Sequence, residues 1–356
     1  MKNIVFVLSS SSDPHYIKRV ESFIENGYNV KVYAFQRNHK STTNVASFPI
    51  EIVGNAYNNK YIGRICVMLK AIKNIAKKHG LSDIFFYGGL DIAMFARLFV
   101  KNKYIYEECD LTQTYVSSKF IQKVLEIIDK RVIKKSLETI LTSEGFLDYH
   151  SIEKLDNISL LPNKLSPIHR NLAISNKVKS SKFRIAFVGS IRYNTIFNFA
   201  YSVGEFFPNI TFTFYGINSG FSDKQIKALE KFQNISFMGP FKSLDLAKIY
   251  SNVDLLVSTY DVTEENVRYA EPNKLYEAIY YETPIVVSKG TFLERKVNDL
   301  GIGYSVDANS ISKIREFISN ISMDDLMNKT NNCQKITKDY AIEDNTLFFN
   351  KIAKKI

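Results

Sequence analysis

The chain has 356 residues, which is more than one hydrophobic core usually serves and indicates two domains of ordinary size. Apolar residues make up 45% of it, as in globular proteins, yet they form no uncharged run of roughly eighteen residues, which argues against a membrane-spanning helix. The net charge is +11, and residues 1–170 hold 24 Lys and Arg against 16 Asp and Glu, an excess that phospholipid headgroups, polyprenyl phosphates or nucleic acid would each complement.

The first predicted elements are a strand, a loop, a helix and a second strand, at Lys2–Leu8, Ser9–Pro14, His15–Asn26 and Val30–Phe35. This order begins a doubly wound α/β sheet, in which ligands bind at the carboxyl ends of the strands. The loop lacks G-x-G-x-x-G and a phosphate loop ending in G-K-[ST], which disfavours a dehydrogenase or a kinase. The opening segment is short and has a single lysine, so we interpret it as a strand rather than a signal peptide and expect a cytoplasmic protein.

Two helices with apolar residues at helical spacing and lysines over much of the remaining surface are predicted at Tyr61–His79 and Phe120–Lys135. Such helices either pack an apolar stripe into the core with a solvated back, or lie on an anionic membrane. The sequence leaves both interpretations open for each helix.

Between these helices, two strands end in polar loops. Asp83–Tyr87 leads into a Gly-Gly-Leu-Asp loop, and Tyr104–Tyr106 leads into Glu107, Glu108, Cys109 and Asp110. Because parallel strands end at one edge of a sheet, Glu107, Glu108 and Asp110 are candidates to orient a hydroxyl group of a bound ligand or to act as a base. Ordinary helix-capping acids are the competing interpretation.

The chain then repeats the pattern. Further strands are predicted at Glu138–Thr142 and Ser159–Leu161, and a polar linker at Leu165–Lys182. A second α/β series follows, with Gly189, Ser190 and Arg192 after its first strand; its strands are Phe183–Val188, Ile210–Tyr215, Ile235–Met238 and Val253–Ser258. The tail is predicted to be helical over Ser310–Ile318 and Asn332–Lys355.

The segment Tyr269–Ser288 reads Y-A-E-P-N-K-L-Y-E-A-I-Y-Y-E-T-P-I-V-V-S and predicts a helix that starts near Pro272. The first N–H groups of a helix have no internal partner, so a phosphate can bind there. Lys274 adds a positive charge at this end, and Glu277 lies one turn further, where it can accept hydrogen bonds from ribose hydroxyls. The motif therefore suits a nucleoside diphosphate, while an ordinary capped helix before a strand, with Lys274 and Glu277 merely solvated, is the competing interpretation.

The stretch from Val253 to Val287 resembles the donor site of family 4 type glycosyltransferases with the GT-B architecture. The resemblance implies two Rossmann-like doubly wound domains facing across a cleft, with boundaries here at residues 1–165 for the acceptor domain and 183–340 for the nucleotide-sugar domain. It also implies a last helix, 341–356, that crosses back to the first domain. Many relatives have a further glutamate near the sugar at the position of Tyr269, which leaves Glu264, Glu265 and Glu271 as candidates for that contact.

The same resemblance assigns roles to the other loops. Gly189 and Ser190 would approach the donor diphosphate, and Arg192 with Lys274 would stabilise it as it leaves. The loops holding Glu108 and Asp110 would border the acceptor cleft. The remaining donor contacts would be Gly239, Phe241, Pro272, Asn273, Leu275 and Glu277, with Met238 and Pro240 also near the base.

We therefore predict a glycosyltransferase that moves a sugar from a nucleoside diphosphate, UDP in the first place, to a glycan or polyprenyl-phosphate-linked glycan during surface polysaccharide biosynthesis, with retention of configuration. No D-x-D motif and no cysteine pair C-x-x-C occurs, so we expect neither a metal nor another cofactor. A sugar-nucleotide 2-epimerase is the alternative enzyme. A basic nucleic-acid-binding protein ranks third, because aromatic residues are not interleaved with arginines; we expect no nucleic-acid partner.

Overall fold

The computed structural model describes residues 2–37, 46–55, 61–152, 155–171 and 177–356. These residues form two compact α/β units, one made of Met1–Pro162 with Asp344–Ile356 and the other of Asn163–Glu343. Leu165 already packs in the core of the second unit. Residues 172–176 of the predicted linker lie outside the described residues.

The first unit is built on a parallel sheet of seven strands in the order β3-β2-β1-β4-β5-β6-β7. Residues of β1 alternate between two cores: Val5 and Val7 face one, and Ile4 and Phe6 face the other, so both faces of the sheet are covered. The strands are β1 Asn3–Leu8, β2 Asn29–Gln36, β3 Ile50–Asn55, β4 Ile84–Gly88, β5 Tyr104–Glu108, β6 Glu138–Leu141 and β7 Ile158–Leu160.

Among the described residues, five helices connect these strands and a sixth comes from the C-terminal segment: α1 Pro14–Glu25, α2 Tyr61–Lys78, α3 Leu90–Ala96, α4 Lys119–Lys135, α5 Gly145–His150 and, after the second unit, α14 Thr346–Ala353, with a 3₁₀ turn at Thr112–Tyr115. On α14, Phe348 and Phe349 pack edge-on against Phe23 of α1, with ring centroids 5.9 and 5.0 Å apart. The last helix is therefore part of the first unit's core.

The second unit has a parallel sheet of six strands in the order β10-β9-β8-β11-β12-β13. Its strands are β8 Phe183–Val188, β9 Ile210–Tyr215, β10 Ile235–Phe237, β11 Leu255–Ser258, β12 Ile285–Ser288 and β13 Gly303–Val306. Its helices are α6 Asn194–Phe206, α7 Asp223–Leu229, α8 Leu246–Tyr250, α9 Glu265–Tyr269, α10 Asn273–Tyr280, α11 Phe292–Leu300, α12 Ile311–Ser319 and α13 Met323–Lys335. The fold class predicted from the alternation of strands and helices is confirmed.

Most predicted strands agree with the observed bounds to within two residues, but the tail does not. The single helix expected over Asn332–Lys355 is divided: α13 ends at Lys335, a 3₁₀ turn covers Lys338–Ala341, and α14 begins at Thr346. The interruption carries the chain from one unit to the other, a constraint that helical periodicity does not encode. Strand β13 was not predicted. Among the described residues, no helix has both the length and the apolarity to cross a membrane.

Candidate active site

The carboxyl ends of the strands in the second unit gather the glycine loops that the sequence singled out. Strand β8 pairs with β9 on one side and β11 on the other, so the chain reverses its winding direction at β8. In doubly wound sheets the crevice at such a switch point is where ligands bind. Gly189 and Ser190 directly follow β8, and they are therefore placed at this crevice.

The loops after β8 and β9 lie in close contact. Gly189 donates its N–H to the carbonyl of Tyr215, and Gly216 donates to the carbonyl of Gly239, at 2.8 Å in each case. A β-carbon on Gly216 would lie 1.8 Å from the carbonyl oxygen of Gly189, and its φ of 139° also disfavours any other residue. Gly189, Gly216 and Gly239 thus form one continuous backbone surface.

Helix α10 begins beside this surface. Its N-cap is Pro272, whose side chain cannot accept a hydrogen bond, so no side chain caps the N–H groups of the first turn. Lys274 is near Gly189: a β-carbon built on Gly189 would lie 3.5 Å from Cε of Lys274. Asn273 is exposed, whereas the side chain of Leu275 is fully buried, so Leu275 can offer a ligand only its backbone.

The two charged residues of this helix are paired with each other. Lys274 Nζ lies 2.5 Å from Glu277 Oε1, and the hydroxyl of Tyr250 donates to Glu277 Oε2 at 2.7 Å. Tyr250 is held in place by a stacked contact with Tyr281, with ring centroids 4.8 Å apart. The Glu277 carboxylate is therefore fixed by two donors, and Lys274 is fixed by Glu277 beside the glycine surface.

Tyr250 has no counterpart in the sequence analysis. It lies in α8, where the spacing of apolar residues indicates only a core position. Its role is visible because its hydroxyl, on a side chain only 1% exposed, has the Glu277 carboxylate as its acceptor. The sequence feature that could have indicated this role is an aromatic side chain with a hydroxyl group in a mostly apolar helix.

Arg192 is exposed and contacts the neighbouring tyrosine. Its Nη2 donates to the hydroxyl of Tyr193 at 2.8 Å, and its guanidinium lies 4.8 Å from the centroid of that ring. Burial raises the pKa of Glu264, and the charge of Arg192 opposes that rise, so the two side chains are close enough to interact. Arg192 is thus at the sheet edge, near the loop before α9.

The remaining donor-side candidates occupy different environments. Met238 and Pro240 are exposed, and Phe241 packs partly against the core that contains Val188. Glu271 is buried: one carboxylate oxygen accepts from Tyr276, and the other has no partner among the described residues. Because the Glu271 side chain is 0% exposed, neither oxygen is open to a sugar hydroxyl in this structure.

The first unit contains a pocket of about 410 Å³ at the carboxyl ends of β1, β4 and β5. Asp110 is exposed and lines it. Asp91 is flanked by two arginines, with Arg37 Nη2 at 3.2 Å and Arg64 also bonded to the same oxygen. The other lining groups are largely apolar, among them Ile65, Met68, Leu90, Met94, Phe95, Val116 and Leu125.

Glu108 is not exposed to this pocket. Its carboxylate is fully buried and accepts from His150 Nε2 at 2.8 Å, while Asp129 Oδ2 lies 3.6 Å from the same nitrogen. Gln113, which lines the pocket, donates to Asp129 at 3.1 Å. The expectation that Glu108 contacts an acceptor hydroxyl directly is wrong for this structure, because the Glu108 side chain is 0% exposed and its carboxylate lies in the interior beside His150.

The cluster holds two carboxylates and a histidine, and no Lys or Arg of the described residues forms an ion pair with it. Burial raises the pKa of Glu108 to about 7, and burial together with the Glu108 charge raises that of Asp129. Burial lowers the pKa of His150. Burial therefore favours the uncharged form of each of the three groups. The ligand atoms of Glu108, Asp129 and His150, and separately those of His15, Glu107 and Cys109, lie within 4.8 Å of one another, the spacing that a metal ion would need.

Replacing Glu108 with glutamine is expected to change the pH dependence of stability. The folded state keeps a proton on Glu108 that the unfolded chain releases above its ordinary pKa of 4.5, so this contribution is complete below pH 4.5 and is lost as the pH rises towards 7. The loss is on the order of 3 kcal/mol at most. Urea unfolding at pH 5 and pH 7 should show a smaller decline for the variant; equal declines would contradict the assignment.

No protein-family model and no curated protein sequence matches the chain. Its two α/β units nevertheless have the GT-B fold of solved glycosyltransferases. Anabaena Alr3699/HepE in complex with UDP-glucose is 14% identical with a TM-score of 0.70, over 99% of both chains. Sucrose-phosphate synthase from Thermosynechococcus elongatus is 15% identical with a TM-score of 0.69, over 100% of this chain and 99% of that one.

The same fold is found in a UDP-GlcNAc 2-epimerase from Neisseria meningitidis bound to UDP-GlcNAc, which is 13% identical with a TM-score of 0.61, over 99% of this chain and 100% of that one. Identities this low establish the shared fold alone, so the choice between transfer and epimerisation depends on the site.

Proposed function

We propose that this protein is a family 4 type glycosyltransferase that transfers a sugar from a nucleoside diphosphate, UDP in the first place, to a hydroxyl of a glycan or lipid-linked glycan. The observation that carries the proposal is the position of Lys274 beside Gly189, at the switch point of the sheet and next to the uncapped start of α10. Together they offer backbone N–H groups and one cation to a diphosphate. Two of the similar solved structures, one in complex with UDP-glucose and one bound to UDP-GlcNAc, support UDP as the nucleotide.

The donor would lie with its diphosphate over Gly189 and Ser190. Helix N–H groups and Lys274 would then stabilise the charge that develops on the leaving diphosphate, without a metal. Glu277 would meet the ribose: its carboxylate is already oriented by Tyr250 and Lys274, so little ordering is needed when the nucleotide binds. Arg192 would have to give up its hydrogen bond to Tyr193 to reach the phosphates. We therefore assign the main phosphate contact to Lys274.

The acceptor would occupy the pocket of the first unit. Its apolar walls and polar base of Asp91, Asp110 and the two arginines suit an amphipathic molecule with hydroxyl groups, as a lipid-linked glycan has. Asp110 would orient the attacking hydroxyl. We place the reaction in the cytoplasm, in surface polysaccharide biosynthesis, and with retention of configuration, in keeping with the resemblance of residues 253–287 to family 4 enzymes.

Thermal unfolding in the presence of UDP, GDP and ADP tests the donor. A nucleotide that binds only the folded state raises stability in proportion to the logarithm of its concentration, so UDP should raise the melting temperature more than GDP or ADP. UDP-sugars are then incubated with and without a polyprenyl-phosphate-linked acceptor. Sugar transfer only with acceptor present supports the proposal.

Two outcomes would contradict it. Appearance of an epimerised UDP-sugar without any acceptor would indicate the 2-epimerase. No stabilisation by any of the three nucleotides would remove the nucleotide site, and with it the transferase.

A further inference from the structure

The two lysine-rich helices of the first unit, α2 and α4, differ in how much apolar surface they expose. In α2, Met68, Ile72 and Ile75 are at most 2% exposed and form part of the core. In α4, Phe120, Val124 and Ile127 are 79%, 40% and 47% exposed. These three follow one another at spacings of four and three residues, so they form one stripe along a single face of α4. The core-facing interpretation holds for α2, whereas α4 packs Val132 and Ile133 into the same core and leaves this second apolar stripe exposed.

The outward face of α4, defined by Phe120, Val124 and Ile127 with Ile121 at its edge, is strongly basic. All the cations of this helix are exposed: Lys119, Lys123, Lys130, Arg131, Lys134 and Lys135. Its two acids are turned inward, since Asp129 is buried and Glu126 is half-buried and accepts from Tyr149 at 3.0 Å. The outward face therefore has six cations and no exposed carboxylate.

This combination selects among possible occupants. A second copy of the chain would bring two such basic faces together, which repulsion disfavours. A nucleic acid would satisfy the cations but would leave exposed Phe, Val and Ile against phosphates. An anionic bilayer satisfies both features, because the cations meet lipid phosphates while the apolar stripe enters the boundary between headgroups and acyl chains.

We infer that the outward face of α4 is a docking surface for an anionic lipid bilayer, with the helix axis parallel to the membrane. The surface is next to the pocket of the first unit, because Tyr115, which is 57% exposed, precedes α4 and lines that pocket with Val116 and Leu125. A lipid-linked molecule in the bilayer would thus have a short path into the pocket. The docking itself does not depend on the transferase activity.

Sedimentation with vesicles tests the inference with the purified full chain. Vesicles of phosphatidylcholine mixed with phosphatidylglycerol should bind at least about tenfold more protein than pure phosphatidylcholine vesicles, and added salt should reduce that difference. Replacing Phe120, Val124 and Ile127 with serine should reduce binding by roughly tenfold or more. Replacing Lys119, Lys123 and Lys130 with glutamate should remove the preference for the anionic vesicles.

The matched control replaces Leu81 and Leu98 with serine, since these are 80% and 67% exposed on the same unit but lie outside α4. This control should bind vesicles like the wild type, and all variants should keep the wild-type melting temperature and response to UDP. Failure of the wild type to bind anionic vesicles would overturn the inference, and so would an equal loss in the control. Tighter binding to RNA than to vesicles, insensitive to the serine substitutions, would identify a nucleic-acid surface instead. A missing UDP response with vesicle binding intact would count against the proposed transferase alone.

Discussion

Replacing Lys274 with alanine should abolish the thermal stabilisation by UDP and lower the rate of sugar transfer by roughly 100- to 1,000-fold. Lys274 is the cation that the structure places next to Gly189 at the start of α10. Its charge is needed most when the diphosphate leaves, because negative charge then increases on the phosphate oxygens. The loss should therefore appear in kcat as well as in nucleotide affinity. Thermal shift with UDP and steady-state rates measure the two effects separately.

The ion pair with Glu277 requires controls for this variant. Lys274→Ala leaves the largely buried Glu277 carboxylate with Tyr250 as its remaining hydrogen-bond donor, which will lower stability by itself. Lys274→Ala combined with Glu277→Gln removes that unpaired charge and should recover stability but not activity. Lys289→Ala changes an exposed lysine that follows β12 in the same sheet and should leave the UDP response intact. A normal UDP response in Lys274→Ala would refute the proposed diphosphate site.

Tyr250→Phe tests the orientation of the Glu277 carboxylate separately from the charge of Lys274. It removes the hydrogen bond to Glu277 Oε2 and leaves the stacked ring on Tyr281 and the Lys274 pair in place. If Glu277 binds the ribose, this variant should bind UDP more weakly with a smaller effect on kcat than Lys274→Ala. An unchanged UDP affinity would mean that Tyr250 serves only the packing of α8, because phenylalanine keeps that packing.

The sequence predicted what depends on local patterns. Buried strands such as Phe183–Val188 read as short apolar runs, and Pro272 with Lys274 marked the start of α10, so the sheet edges and the glycine loops could be located in advance. It could not predict which way a side chain turns at a strand end. Glu108 and Asp110 are two residues apart, yet one is buried with His150 and the other is exposed in the pocket. The bend of the chain after β5 decides this, and that bend depends on packing with α4.

Partners distant in sequence were equally hidden. Arg19 of α1 is 1% exposed and is bound to Glu107, 88 residues away in the sequence. Similarly, apolar residues recur at helical spacing in both α2 and α4, and only the packing of each helix against the sheet shows that α4 buries Val132 and Ile133 but exposes Phe120, Val124 and Ile127. The periodicity of apolar residues predicts that a helix has an apolar face, whereas tertiary packing decides whether that face is turned to the core or to the solvent.

Replacing Arg19 with methionine should lower the free energy of unfolding by about 3–5 kcal/mol, because it leaves the fully buried Glu107 without its cation. Arg19 Nε and Nη2 each lie 2.9 Å from Glu107 Oε1, and His15 Nε2 lies 3.0 Å from the same oxygen. Replacing both members of the pair with methionine should cost much less, since no buried charge then remains. Urea unfolding of the two single variants and the double variant gives the coupling energy.

The pH dependence of the same variants provides an independent check on the Arg19–Glu107 pair. Burial alone would raise the pKa of Glu107, but Arg19 and His15 outweigh it and hold the pKa at about 2, below its ordinary value of 4.5. The unfolded chain therefore binds a proton between pH 4.5 and 2 that the folded chain does not, so the stabilisation is complete above pH 4.5 and is lost as the pH falls through 2. Its size is on the order of 3 kcal/mol. The double variant should lack this acid loss, and an unchanged loss would show that Glu107 and Arg19 are not coupled in solution.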